Sequence, residues 1–203
     1  NQKLYFYNGH ELKMWDGTNF EDVTGYVPLI KISTEPNGEG VDYEPINLLT
    51  GQKRQRFSPN GTDKDFYIAE TDIDSADKVL LDGVELEFTA DLKLGKISVT
   101  EVIEQGVDSL EIWWTKGQGQ RDLILKNHYF QLYGLADDTR VFLYGNPDAK
   151  NRIYFSDLAD GVPDVTYFPA TNFIDIGSSN VAVTDIQRQY DRLIISKEDS
   201  TYY

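Results

Sequence analysis

The chain has 203 residues and carries 34 acidic against 19 basic side chains, a formal net charge of −15, with no cysteine and two histidines. These totals exclude a disulfide framework, a thiolate zinc site and a cysteine nucleophile, and they repel phosphate backbones, so no specific nucleic-acid binding is expected. No apolar run approaches the ~20 residues of a membrane-spanning helix, so no membrane partner is expected.

No stretch of ~12 residues holds an i, i+3, i+4, i+7 apolar pattern free of Gly and Pro, so the expected fold is all-β. Leu4-Tyr5-Phe6-Tyr7 is a strand closed by Asn8-Gly9, a type I′ hairpin signal that puts His10 at the tip. Residues 11–15 return to Asp16-Gly17, and a third short strand surrounds Val23.

From about Ile32 to Lys116 the pattern changes. Strands are expected at 53–58, 65–69, 78–81, 84–89, 96–100 and 109–115, with turns at Asp82-Gly83, Leu94-Gly95 and Gln105-Gly106. Short strands with frequent turns make a β-sandwich or open barrel. Alternation places Leu110, Ile112 and Trp114 on one face of the last strand and Trp113 on the other. Lys53-Arg54-Gln55-Arg56, the one basic patch, reads as a solvated hairpin carrying charges. Lys116-Gly117-Gln118-Gly119-Gln120 reads as a flexible exit. Gly117-Gln118-Gly119-Gln120-Arg121-Asp122 lacks the third glycine and the following helix of a phosphate-binding loop.

The opening pattern then returns. Arg140-Val141-Phe142-Leu143-Tyr144 runs to Gly145-Asn146-Pro147, and Asn151-Arg152-Ile153-Tyr154-Phe155-Ser156 comes back. Arg192-Leu193-Ile194-Ile195-Ser196 repeats it, with Thr201-Tyr202-Tyr203 as the return. The stretches beginning at Lys3, Arg140 and Arg192 read as equivalent ribbons, the last two spaced on the order of the ~40–50-residue propeller repeat. The expected organisation is an incomplete, propeller-like β scaffold over 1–31 and 117–203, split by a β-sandwich-like domain over 32–116. Asn1 and Tyr203 read as cut ends of a longer protein.

No catalytic, cofactor-binding or metal-binding residue is assigned. His10 and His128 belong to no zinc motif, and His128 reads as a packing residue. Asp72, Asp74 and Asp77 cluster, but the sixth and twelfth positions of a calcium loop counted from Asp72 hold Asp77 and Gly83 where Gly and Glu are needed. Asp137-Asp138 and Asp157…Asp160-Gly161 read as turns. Trp113, Trp15 and Tyr7 are the candidate binding or interface residues, since exposed aromatics stack on sugars or anchor interfaces.

The most specific pattern lies in the C-terminal third. Asn151-Arg152-Ile153-Tyr154-Phe155-Ser156, Tyr167-Phe168-Pro169, Ile176-Gly177 and Asp191-Arg192-Leu193-Ile194-Ile195 follow in order, and Trp15-Asp16-Gly17-Thr18 and Glu44-Pro45-Ile46-Asn47-Leu48-Leu49-Thr50 share the style. This resembles the propeller-type structural proteins of tailed phages and prophages, including head-completion (packaged-DNA-stabilising) and tail hub proteins. The resemblance implies a non-enzymatic virion component at the head–tail junction or in the tail, assembled in the bacterial host cytoplasm. It implies other virion proteins and further copies of the chain as partners, and brings no catalytic residue or cofactor. The alternatives are a tail module that binds a host-surface glycan or receptor, and a propeller glycosidase.

Overall fold

The computed structural model describes residues 3–135 and 138–203. Strand accounts for 46% of the chain and helix for 3%, in several sheets of which none is closed, so the protein is all-β. The chain divides into a split unit (Asn1–Tyr26, Asn47–Leu49 and Gln120–Tyr203) and an inserted unit (Val27–Ile46 and Thr50–Gly119).

The split unit begins with an antiparallel meander of β1 (Leu4–Tyr7), β2 (Leu12–Trp15) and β3 (Phe20–Asp22). Its turns are built by local acceptors. Asn8 Oδ1 accepts the backbone N–H of His10 and Glu11, while Asp16 Oδ1 accepts those of Thr18 and Asn19. The third strand precedes Val23, which is instead a buried core residue just beyond it.

The inserted unit contains β4 (Leu29–Thr34), β5 (Val41–Asp42), β6 (Gln52–Phe57), β7 (Asp65–Tyr67), β8 (Ser75–Leu81), β9 (Val84–Glu85), β10 (Phe88–Asp91), β11 (Lys96–Val99) and β12 (Leu110–Thr115). One six-stranded sheet has the order β5-β4-β6-β12-β8-β9, and a three-stranded one β10-β11-β7. Phe57, Phe66, Val79, Ile97, Ile112 and Trp114 form the centre of a shared apolar core. The single strand expected over 84–89 is two strands, because the chain crosses at Leu86-Glu87 from pairing with β8 to pairing with β11.

Two expectations are corrected here. The boundary at 31/32 falls inside β4, whose residues from Leu29 onward pair in parallel with β6, so the inserted unit begins at Val27 and runs on to Gly119. Lys53-Arg54-Gln55 is no solvated hairpin. It lies in β6, a strand paired on both sides, and is 7%, 8% and 0% exposed. Burial of these groups is offset by partners distant in sequence. Lys53 Nζ donates to both Glu70 oxygens at 2.8 and 3.0 Å, and Arg54 Nε donates to Val27 O at 3.1 Å. Gln55 donates to Thr34 Oγ1 and accepts the Ala69 N–H.

Back in the split unit, a five-residue helix α1 (Arg121–Leu125) follows the Gly117–Gln120 stretch, where no helix was expected. Then come β13 (Tyr129–Tyr133), β14 (Arg140–Tyr144), β15 (Arg152–Phe155), β16 (Asp157–Ala159), β17 (Val162–Asp164), β18 (Phe173–Asp175), β19 (Val183–Gln189), β20 (Arg192–Lys197) and β21 (Thr201–Tyr202). They form a four-stranded sheet β13-β14-β15-β18, the hairpin β16-β17 and a meander β19-β20-β21. Leu12, Leu49, Ile124, Leu143 and Phe168 pack in one core cluster, and Tyr144, Ile153, Ile186 and Ile195 in another.

The three basic-led ribbons are not equivalent position by position. Arg140 and Arg192 open the second strands of their sheets, whereas Lys3 precedes the first strand of its meander, whose second strand is β2. The segment Asn47–Leu49, expected within the insert, belongs to the split unit, where Asn47 bridges to Pro169 and Leu49 is fully buried. Gly25 is the close-approach point: at φ +93° a Cβ there would lie 2.9 Å from Leu49 Cβ.

Candidate functional site

Trp113 sits at the centre of a cross-strand row. The register of β12 against β6 and β8 sets Arg54, Trp113 and Lys78 side by side. Lys78 Nζ lies 3.7 Å and Arg54 Cζ 5.6 Å from the indole centroid, a cation from each neighbouring strand. The indole Nε1 donates to Glu111 Oε1 at 2.6 Å, and Glu111 Oε2 accepts Arg56 Nε at 2.8 Å and Arg54 Nη1 at 3.5 Å. Burial by itself would push the Glu111 carboxyl up, but the bonds from Arg56 and Trp113 and the charges of Arg54 and Arg56 outweigh it and hold it below its ordinary value. This is a sheet-stitching network. A sugar stacking on Trp113 would first have to displace Lys78. The core-facing neighbour Trp114 is fully buried and donates its Nε1 to Glu70 Oε2 at 2.9 Å.

Tyr7 and Trp15 lie on opposite faces of the first meander. Tyr7 points inward, and its hydroxyl donates to Ile124 O at 2.7 Å and lies within hydrogen-bond reach of Asn127 O. Burial pushes its phenol far above the ordinary value. It lines an apolar cavity of about 200 Å³ together with Tyr5, Leu12, Phe130, Leu132 and Leu143. Trp15 points outward and is 44% exposed, with Leu4 opposite it on one side and Phe20 on the other.

The two histidines meet, which their separation in sequence concealed: the rings of His10 and His128 are 6.1 Å apart. His128 is exposed and packs against surface neighbours, His10 among them. It also contacts Tyr129, and the bare Cα of Gly9 lets the hairpin tip come close to it. The acidic groups form structural bonds. Asp74 Oδ2 accepts the Gly117 N–H, Asp77 accepts Gln52 Nε2, Ser75 Oγ and Thr115 Oγ1, and Asp72 and Asp160 take positive φ. Asp157 accepts Arg140 Nη1 and Asn172 Nδ2. Asp137 lies outside the described residues, while Asp138 pairs with Arg140. Among the described residues no group of three or more His, Asp or Glu side chains is placed to hold a metal ion. A cleft of about 530 Å³ in the inserted unit is rimmed by Asp82, Glu87, Glu101 and Glu104 over Leu86, Val99 and Ile103.

Sequence reasoning missed the Arg54–Trp113–Lys78 row with Glu111, although the alternation that turned Trp113 away from Trp114 pointed to that face. It also missed that Leu4, Phe6 and Phe20 join Trp15, which strand pairing alone makes visible. No family model, curated protein or solved structure gives a significant match to this chain. No helix among the described residues is long and apolar enough to cross a membrane.

Proposed function

We propose that this chain is a non-enzymatic structural component of a tailed-phage or prophage particle, at the head–tail junction or in the tail. In this reading the split unit is part of a β-propeller-like scaffold, and the inserted unit is a sandwich-like guest that offers contact surface. One observation carries it. The split unit is a succession of up-and-down antiparallel sheets, β1-β2-β3, β13-β14-β15-β18 and β19-β20-β21, the form that propeller blades take. The β16-β17 hairpin is an elaboration between β15 and β18, and the inserted unit one between the first and second sheets. Such sheets resist deformation, which suits a spacer or hub whose partners are other virion proteins and further copies of itself.

The engagement of Trp113 by Lys78, Arg54 and Glu111 favours this reading over the glycan-binding alternative, which loses Trp113 as an open stacking surface. The test is quantitative mass spectrometry of particles purified on a density gradient from the source strain after prophage induction. The scaffold reading expects peptides from both units, enriched with capsid and tail proteins at a fixed copy ratio. Their confinement to the particle-free supernatant would overturn it.

A further inference from the structure

The fold sets the chain's two histidines side by side, although one precedes the inserted unit in sequence and the other follows it. The rings of His10 and His128 are exposed, 6.1 Å apart and inclined at 55°. Three anchors hold them there. Asn8 Oδ1 accepts the backbone N–H of His10 and Glu11, which shapes the hairpin tip that carries His10. The His128 backbone N–H donates to Tyr144 O at 3.0 Å, at the entry to β13. The Tyr7 hydroxyl donates to Ile124 O at 2.7 Å, which ties β1 to α1 just before His128. Gly9 permits the close approach, since a Cβ there would meet His128 Cδ2 at 3.0 Å. Among the described residues no group forms a hydrogen bond or an ion pair with either imidazole, so the ring nitrogens are open to a ligand.

We infer that His10 and His128 together bind a divalent transition-metal ion of the zinc class (Zn²⁺, Ni²⁺ or Cu²⁺), which clips the part of the split unit before the insert to the part after it. Neutral imidazole is a ligand for these ions, whereas Mg²⁺ and Ca²⁺ take oxygen. With metal–nitrogen bonds of ~2.0–2.1 Å at a tetrahedral angle, two imidazole centroids stand ~5 Å apart, so the rings need to close by only about 1 Å. Exposed histidines make that adjustment by rotation about χ2, whose well is broad. Once one nitrogen is bound the second bond is intramolecular, which strengthens the pair over either ring alone. Two protein ligands leave the other positions to water, so the ion exchanges freely and is no closed structural centre. Glu11 supplies no third ligand, because it lies with Phe6, Lys13 and Phe20. Lys126, just before His128 in sequence, is closed on Asp148 at 2.7 Å, and the net charge of −15 draws cations to the surface.

NMR of the histidine side chains in the whole, tag-free chain tests it, with Zn²⁺ titrated from about 1 µM to about 1 mM and Mg²⁺ as the control. The chain has two histidines and no cysteine, so imidazole signals that move with zinc report on this pair alone. The expected result is one ion per chain, with both histidines shifting along a single binding curve and neither responding to Mg²⁺. The urea midpoint should rise with zinc, because the ion binds the folded form. His10→Ala and His128→Ala, both at exposed positions, should each raise the zinc dissociation constant at least about tenfold and abolish that rise, and the second variant reports if the first fails to fold. Two rings that follow separate curves, or single variants that bind as tightly as the wild type, would show that no ion is shared and overturn the inference. Histidine signals unmoved up to about 1 mM zinc would overturn it as well.

Discussion

Asn47 holds Phe168 across 121 positions of sequence: its Oδ1 accepts the Phe168 N–H at 3.0 Å. The same oxygen accepts the Leu49 N–H at 3.1 Å, and Nδ2 donates to Tyr26 O and Thr166 O, both at 2.8 Å. One buried amide thus ties the short Asn47–Leu49 passage into the split unit between two stretches that build the inserted one. Asn47→Ala removes the acceptor of two buried N–H groups, those of Leu49 and Phe168, and a donor to the Tyr26 and Thr166 carbonyls, and a loss of about 2–4 kcal/mol is expected in urea unfolding. Stability within about 0.5 kcal/mol of wild type would show that the clamp contributes little.

The Glu111 network predicts an acid limb to stability. Its carboxyl is held below the ordinary value in the folded protein, as are those of Asp65, beside Ser98 and Lys96, and Asp175, beside Arg152. A depressed folded-state value means the contribution is complete above the unfolded value, ~4.3 for Glu, and is lost as pH falls through the folded one. The urea midpoint should therefore be flat from about pH 7 to about pH 5 and fall below about pH 4.5. Glu111→Gln should lower the plateau and make the fall shallower. An acid limb with the same slope in the variant would remove Glu111 from the explanation.

Lys53 and Glu70 are more dependent on each other than a surface pair is. Lys53 is buried on the core face of β6, and Glu70 serves both its ammonium and the Trp114 indole. Removing the carboxylate leaves a buried cation, so Glu70→Ala should cost about 2–4 kcal/mol, while Glu70→Gln, which still offers an acceptor to Trp114, should cost less. Lys53→Met combined with Glu70→Gln should recover part of the loss, because the unpaired charge is then gone. A double variant no more stable than Glu70→Ala would contradict the pairing. Urea unfolding of the three variants measures it.

Each tryptophan has a distinct environment, and iodide quenching reads it directly. Trp114 is fully buried, Trp113 lies between Arg54 and Lys78, and Trp15 is open. Trp15→Phe should remove most of the quenchable emission, and Trp113→Phe only a small part. Equal losses would mean that the cation-flanked ring is as open as the bare one.

Much of the fold was legible where a local rule sets the geometry. Asp82-Gly83 marked its two-residue hairpin, Asn8-Gly9 marked a reversal whose loop is four residues and not the expected type I′ turn, and alternation in β12 separated Trp113 from Trp114. β6 was misread because Lys53, Arg54 and Gln55 are polar by type. Their partners, Glu70, Glu111 and Thr34, arrive only once the sheet forms, and no local window contains them. α1 is too short to show a helical period, and β19 carries Thr184, Asp185 and three polar residues at its end that hide a strand. The candidate aromatics were named correctly as aromatics. Whether each is covered, as Tyr7 is, or open, as Trp15 is, depends on which sheet face the tertiary fold uses.

The central claim is that the split unit's successive meanders act as blades of one scaffold in an assembled particle. Cryo-electron microscopy of purified particles tests this most directly. The account predicts density in which β1-β2-β3, β13-β14-β15-β18 and β19-β20-β21 stand radially about a common axis, with copies repeated by the particle's symmetry. Particles with no density for this chain, or density in which those three sheets share no axis, would contradict it.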